Sequence, residues 1–153
     1  MTNKGYLKLA IEQAKLSAKK GGFPAGAIVV KNGEIIARGI SIGSNLNDPT
    51  GHAETSTIRE ACRNLKTSDL SGAILYASME PCMMCFSVAN WASISKIVYG
   101  FKKTDDMAMK GYYEGKNDIV ELNEKNNRKI ELEYIYDFES EILELIKNWE
   151  NSN

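Results

Sequence analysis

Two apolar runs, "AGAIVV" and "EIIARG", meet across Lys31-Asn32-Gly33. Asn-Gly accepts the positive φ angles that a tight antiparallel turn requires, so residues 25–39 are expected to form a β-hairpin. The surrounding patterns change period. Upstream, Leu7, Ala10, Ile11, Ala14 and Ala18 recur at helical spacing until Gly21-Gly22 stops them. Downstream, a polar loop over about 41–51 leads to a helix from about His52 to Leu65, then the short apolar strand "AILYAS". A second helix over Cys82–Trp91 leads to the strand "KIVYGF". A Lys/Asp/Gly/Tyr-rich segment with no clear period follows, then an expected strand "KIELEYIY" and a terminal helix "FESEILELIKNW". Strands alternating with helices of this length imply βαβ units and a layered α/β fold.

No repeat or linker divides the 153 residues, and a single domain over 1–153 is expected. The formal net charge of -1 provides no general pull toward nucleic acid or an anionic membrane. No run approaches the ~18 apolar residues that would span a bilayer. The N-terminus lacks the apolar block of a signal peptide. Three cysteines without a secretion signal do not suggest a disulfide framework, and a cytoplasmic protein is expected.

The cysteines are not alike. Cys82 and Cys85 follow Pro81, a residue favoured in the first turn of a helix. Their i, i+3 spacing puts both thiols on one face, where the helix dipole favours thiolates. Such a pair suits zinc, a redox couple or plain burial. Cys62 lies mid-helix in "TIREAC" with no partner at ligand spacing and reads as core. The chain's one histidine, His52, starts the other helix in "DPTGHAETSTIREAC". In open α/β sheets, helix starts and the carboxyl ends of strands converge on one edge. His52, Cys82 and Cys85 then make three ligands where a structural zinc site uses four, leaving one position for water. Zinc there would lower the water pKa toward ~7. Glu54, two residues past His52, would be an ordinary helix-start carboxylate alone, and a proton shuttle beside such a water.

"HAE" followed by "PCMMC" matches the H-x-E…P-C-x-x-C pattern of zinc nucleobase deaminases. From the first helix through "KIVYGF" the chain resembles the cytidine deaminase-like superfamily, most closely the bacterial guanine deaminases and the related cytosine and tRNA-adenosine deaminases. The resemblance implies a three-layer α/β/α fold with a central five-stranded mixed sheet. It also implies Zn2+ on His52, Cys82 and Cys85, Glu54 as general acid/base, and a homodimer.

"NDPTGHAETSTIREAC" looks most like the guanine deaminase stretch, although the tRNA enzymes share Asp-Pro-Thr. From Ile130 onward there are seven acidic residues and one lysine, a tail that would repel a polyanion. A free base, guanine or a related aminopurine, is therefore the expected substrate. Ser41 stands where relatives carry a base-binding asparagine, unless Asn45 or Asn47 takes that role. In "GYYEG", Glu114 matches the acid that contacts the purine in guanine deaminases. Phe23, Tyr112, Tyr113 and Trp149 are candidates to stack on a base. In the guanine branch the C-terminal segment covers a neighbour's site, a part Trp149 could take. The alternatives are a cytosine or tRNA-adenosine deaminase, or a zinc-stabilised interaction module without catalysis.

Overall fold

The computed structural model describes residues 1–153. Helix α1 (Asn3–Lys19) is started by the Thr2 side chain, which accepts the Gly5 N–H. Strands β1 (Gly26–Lys31) and β2 (Glu34–Ile40) form the expected hairpin. Asn32 and Gly33 both adopt positive φ, 52° and 77°, which is what the Asn-Gly pair supplies. After a short helical turn α2 (Gly43–Leu46) come α3 (Ala53–Leu65), β3 (Ile74–Ala77), α4 (Met83–Trp91) and β4 (Lys96–Tyr99). The aperiodic segment folds into two short helices, α5 (Asp105–Met109) and α6 (Ile119–Lys125). Their apolar content was too sparse to show a period. Strand β5 is limited to Glu131–Tyr134, and a 3-10 turn over Tyr136–Phe138 leads into α7 (Glu139–Ser152).

The sheet order is β2-β1-β3-β4-β5; β1 runs antiparallel to both neighbours, and β3, β4 and β5 are parallel. Alternate residues of the inner strands serve opposite faces. Ile28, Val30, Tyr76 and Val98 pack with Leu7, Ile11, Ile142 and Ile146 of α1 and α7. Ala27, Val29, Leu75, Ala77, Ile97 and Tyr99 pack with α3 and α4 through Ile58, Phe86 and Ala89, and with Ile119 at the start of α6. Burial on both sides explains why β1 reads as an unbroken apolar run rather than an alternating one. The approach of α3 to β2 is close enough to require glycine. A Cβ on Gly39 would lie 2.0 Å from Thr57 Oγ1 and 2.8 Å from the Ala53 carbonyl. This packing brings the starts of α3 and α4 to one edge of the sheet, where β2, β3 and β4 end and β1 begins. No helix is long and apolar enough to cross a membrane.

Candidate active site

His52 and Cys82 are the N-cap residues of α3 and α4, and neither side chain caps its own helix. Ser, Thr, Asp or Asn normally fills that position because the side chain can bind the first free N–H groups. Here both side chains turn toward each other instead. His52 Nδ1 lies 3.5 Å from Cys82 Sγ and 3.6 Å from Cys85 Sγ. All three donor atoms fall within 4.8 Å of one another. Bonds of ~2.05 Å to nitrogen and ~2.3 Å to sulfur at a tetrahedral angle would separate N from S by roughly 3.6 Å, so one nitrogen and two sulfurs at these spacings fit zinc. The sequence expectation for this trio agrees with the geometry.

The free N–H groups of α4 are met from elsewhere. Glu114 Oε1 accepts from Met83 N at 3.2 Å and Oε2 from Met84 N at 3.1 Å. Thr55 Oγ1 donates to Cys85 Sγ at 3.2 Å. Without metal the two thiols differ sharply. Hydrogen bonding from Cys85 draws Cys82 down to about 6, helped by His52 and opposed by burial. The Cys82 sulfur and complete burial push Cys85 well above the usual thiol range. Cys82 also holds the His52 pKa up, against burial. Burial pushes Glu54 to about 7, and the neighbouring Cys82 sulfur adds to the rise.

His52, Glu54, Cys82 and Glu114 line a cleft of about 1010 Å³, at the upper end of the size of ligand sites. Ser41 and Asn47 line it, and Asn45 does not. Phe23 and Trp149 stand at its side with Tyr112, their rings edge to face at 5.0, 5.0 and 5.9 Å. Trp149 therefore lies against its own chain's cleft, brought there by α7. Glu150, the next residue, accepts from the Tyr112 hydroxyl at 2.5 Å and from Lys110 at 3.0 Å. Tyr113 also lines the cleft. It is largely buried, and its hydroxyl donates to the Glu80 carbonyl at 2.7 Å, which anchors the ring in the cleft wall. Cys62 is only half-buried, packing against the core from α3 while also facing a smaller surface groove.

Sequence reasoning missed Glu80 and Thr55. Glu80 is 7% exposed; burial raises its pKa, while the Lys103 backbone N–H, bonded to Oε1 at 3.2 Å, draws it back. It ties the start of the 101–119 excursion to the β3–α4 connection. A glutamate beside proline carries no pattern that would announce this. For Thr55, adjacency to Glu54 was the one available hint.

Residues 1–101 match the model for the cytidine and deoxycytidylate deaminase zinc-binding region. The chain belongs to this family. Among its relatives, a tRNA-specific adenosine deaminase of Aquifex aeolicus is 45% identical over 94 residues, 61% of this chain and 62% of its own length. The chain thus spans about three-fifths of that relative. The guanine deaminase of Bacillus subtilis is 42% identical over 106 residues, covering 69% of this chain and 68% of the enzyme. A solved structure from work on A-to-I editing by tRNA:A34 deaminases superposes with a TM-score of 0.80 at 30% identity, over 93% of this chain and 99% of that one. The five-stranded mixed sheet with helices on both faces is the family's fold, and its zinc-binding region contains His52, Cys82 and Cys85.

Proposed function

We propose that residues 1–153 form one hydrolytic deaminase domain acting on a free nucleobase, guanine or a related aminopurine, with release of ammonia. The observation that carries the reading is Glu54, a buried carboxylate in the same cleft as His52 and Cys82 and in the first turn of the helix whose N-cap residue is His52. When bound by His52, Cys82 and Cys85, zinc supplies a Lewis acid that makes water acidic near pH 7. Glu54 takes the proton from the water that adds to the amino-bearing carbon and passes it to the adjacent ring nitrogen. It then takes the remaining proton of the newly added hydroxyl and delivers it to the amine, so that the carbonyl forms as the C–N bond breaks and ammonia leaves. Burial raises the Glu54 pKa above the usual carboxylate range, which suits a group that must receive a proton and return it.

The substrate class is supported by charge. The cleft is lined by Asp48, Glu54, Glu80 and Glu114, against the single lysine Lys110, which is itself paired with Asp106 and Glu150. A phosphodiester backbone would find no free cation there. Glu114 is fixed by two backbone amides and keeps lone pairs for ring N–H and exocyclic amino donors, such as guanine presents. Ser41 or Asn47 would hold another edge of the base, and Phe23 and Trp149 its face. A second reading, adenosine within RNA, is favoured by the identity to the Aquifex aeolicus enzyme. Ammonia release from guanine, 2,6-diaminopurine, isoguanine, adenine and cytosine, alongside inosine formation in a tRNA anticodon stem-loop, decides between them. Turnover of the stem-loop alone overturns the free-base reading.

We also infer a homodimer formed through α3 and α4. Trp91 is 87% exposed beside a groove of about 360 Å³ lined by Ile58, Cys62, Met84 and Val88. Exposed aromatic surface against an apolar groove is the composition of an interface centre.

A further inference from the structure

Two buried threonines near the start of α3 use their hydroxyls differently. Thr57 makes the usual bond of a helical threonine, donating to the Ala53 carbonyl four residues back at 2.7 Å. For Thr55 no such acceptor exists, because α3 starts at Ala53 and the residue four back, Gly51, lies outside the helix with its carbonyl in the 41–51 loop. That oxygen is already occupied by two amides, Ile42 N at 2.9 Å and Gly43 N at 3.0 Å, which close the 41–51 loop. The Thr55 hydroxyl turns the other way and donates to Cys85 Sγ at 3.2 Å. Thr55 is 5% exposed and Cys85 wholly buried, so water does not compete for this bond.

The second sulfur is served differently. Cys82 Sγ, at the helix start, lies 3.5 Å from His52 Nδ1 and accepts from no hydroxyl. Cys85 lies a turn further in, where the amides of α4 are engaged along the helix, and Thr55 from the facing helix supplies its side-chain donor. A buried thiolate that ligates a metal is held more firmly, and stays ionised more readily, when a donor outside the metal shell accepts part of its charge. The same bond ties the first turn of α3, carrying His52, to the first turn of α4, carrying both cysteines.

We propose that Thr55 is a positioning residue for the metal centre: its hydroxyl orients the Cys85 sulfur, holds it as a ligand, and sets the spacing between the two ligand-bearing helices. The inference rests on the reading that His52, Cys82 and Cys85 hold zinc.

The test compares purified wild type, Thr55→Val, Thr55→Ser and Thr55→Ala by zinc affinity, using competition with a chromogenic chelator, and by the sulfur-to-cobalt charge-transfer band of cobalt-substituted protein. Valine preserves the shape and removes the donor. T55V is expected to bind zinc about 10–100-fold more weakly and to shift the cobalt band. T55S is expected to stay within threefold of wild type with an unshifted band. If T55V does not fold, T55A removes the same hydroxyl without a β-branch and is read in its place. Equal affinity and an unchanged band in the variant lacking the hydroxyl overturn the proposal, as does a T55S protein as weak as T55V. Wild type that takes up no zinc overturns the ligand set, and Thr55's role with it.

Discussion

Glu114 lies thirty residues beyond Met84 in sequence, yet its carboxylate accepts that residue's backbone N–H at 3.1 Å while also holding Met83. A side chain from an irregular loop thus caps the helix that carries the cysteine pair. The residue that would recognise the base and the helix that would hold the metal form one hydrogen-bonded unit. Replacing Glu114 with alanine should therefore act twice. Stability should fall by about 1 kcal/mol, the usual size of a lost cap, measured by urea denaturation of the zinc-loaded protein. The KM for the base should rise at least tenfold. An unchanged KM would remove Glu114 from base recognition.

The Glu54→Gln variant keeps the shape of the buried side chain and loses its capacity to carry a proton. Zinc content should remain at the wild-type level while ammonia release drops by roughly 10²–10⁴-fold, the range for a general acid/base. Metal analysis and a coupled ammonia assay on one preparation check both. Activity within tenfold of wild type would show that another group moves the proton.

Metal removal should destabilise the fold at the edge where His52, Cys82 and Cys85 converge. A ligand that binds only the native state contributes RT ln(1 + [L]/Kd), about 4 kcal/mol at a thousandfold excess over Kd. Chelator-treated protein should unfold at a lower temperature in calorimetry, and added zinc should restore the original midpoint. The His52→Ala variant should unfold at the lower temperature with or without zinc.

Trp149 tests the last helix. Its edge-to-face contact with Phe23 and its contact with Tyr112 are each worth about 0.5–1.5 kcal/mol. Trp149→Ala should lower thermal stability by a few degrees and raise KM severalfold, with kcat unchanged. Steady-state kinetics separates the two, and an unaltered KM would limit α7 to a scaffold.

Sedimentation can test the exposed face of α4. Trp91→Glu places a charge beside the groove formed with α3, where it would be desolvated in a dimer and free in water in a monomer. The wild type should sediment as a dimer and the variant as a monomer with native circular dichroism. A wild-type monomer, or a dimeric variant, would move the interface elsewhere.

Periodicity and turn chemistry made much of the frame legible. The Asn32-Gly33 hairpin, the helices around "HAE" and "PCMMC" and the strands "AILYAS" and "KIVYGF" follow from local preference, and the structure has each within a few residues. The stretch after Lys102 was illegible because α5 and α6 are only five and seven residues long, too short for an apolar stripe to repeat. Tyr113 owes its position to a contact that no local pattern shows. An aromatic residue's neighbours decide whether it faces a ligand or braces a loop, and its nearest polar partner is Glu80, thirty-three residues away.

The sequence by itself determined the metal donors and the carboxylate beside them, because their chemistry depends on residue type and on spacings within one helical turn. Only the tertiary structure decided how those donors are supported. Glu114 on the α4 amides, Thr55 on the Cys85 sulfur and Trp149 beside Phe23 all join segments far apart in the chain. No local spacing encodes such pairs; they arise when the sheet sets α3 beside α4 on one face and α7 beside α1 on the other. Thr55 and Thr57 make the distinction concrete: two residues apart in one helix, they differ in role because the packing of α4 beside α3 sets the Cys85 sulfur within reach of the first and not of the second.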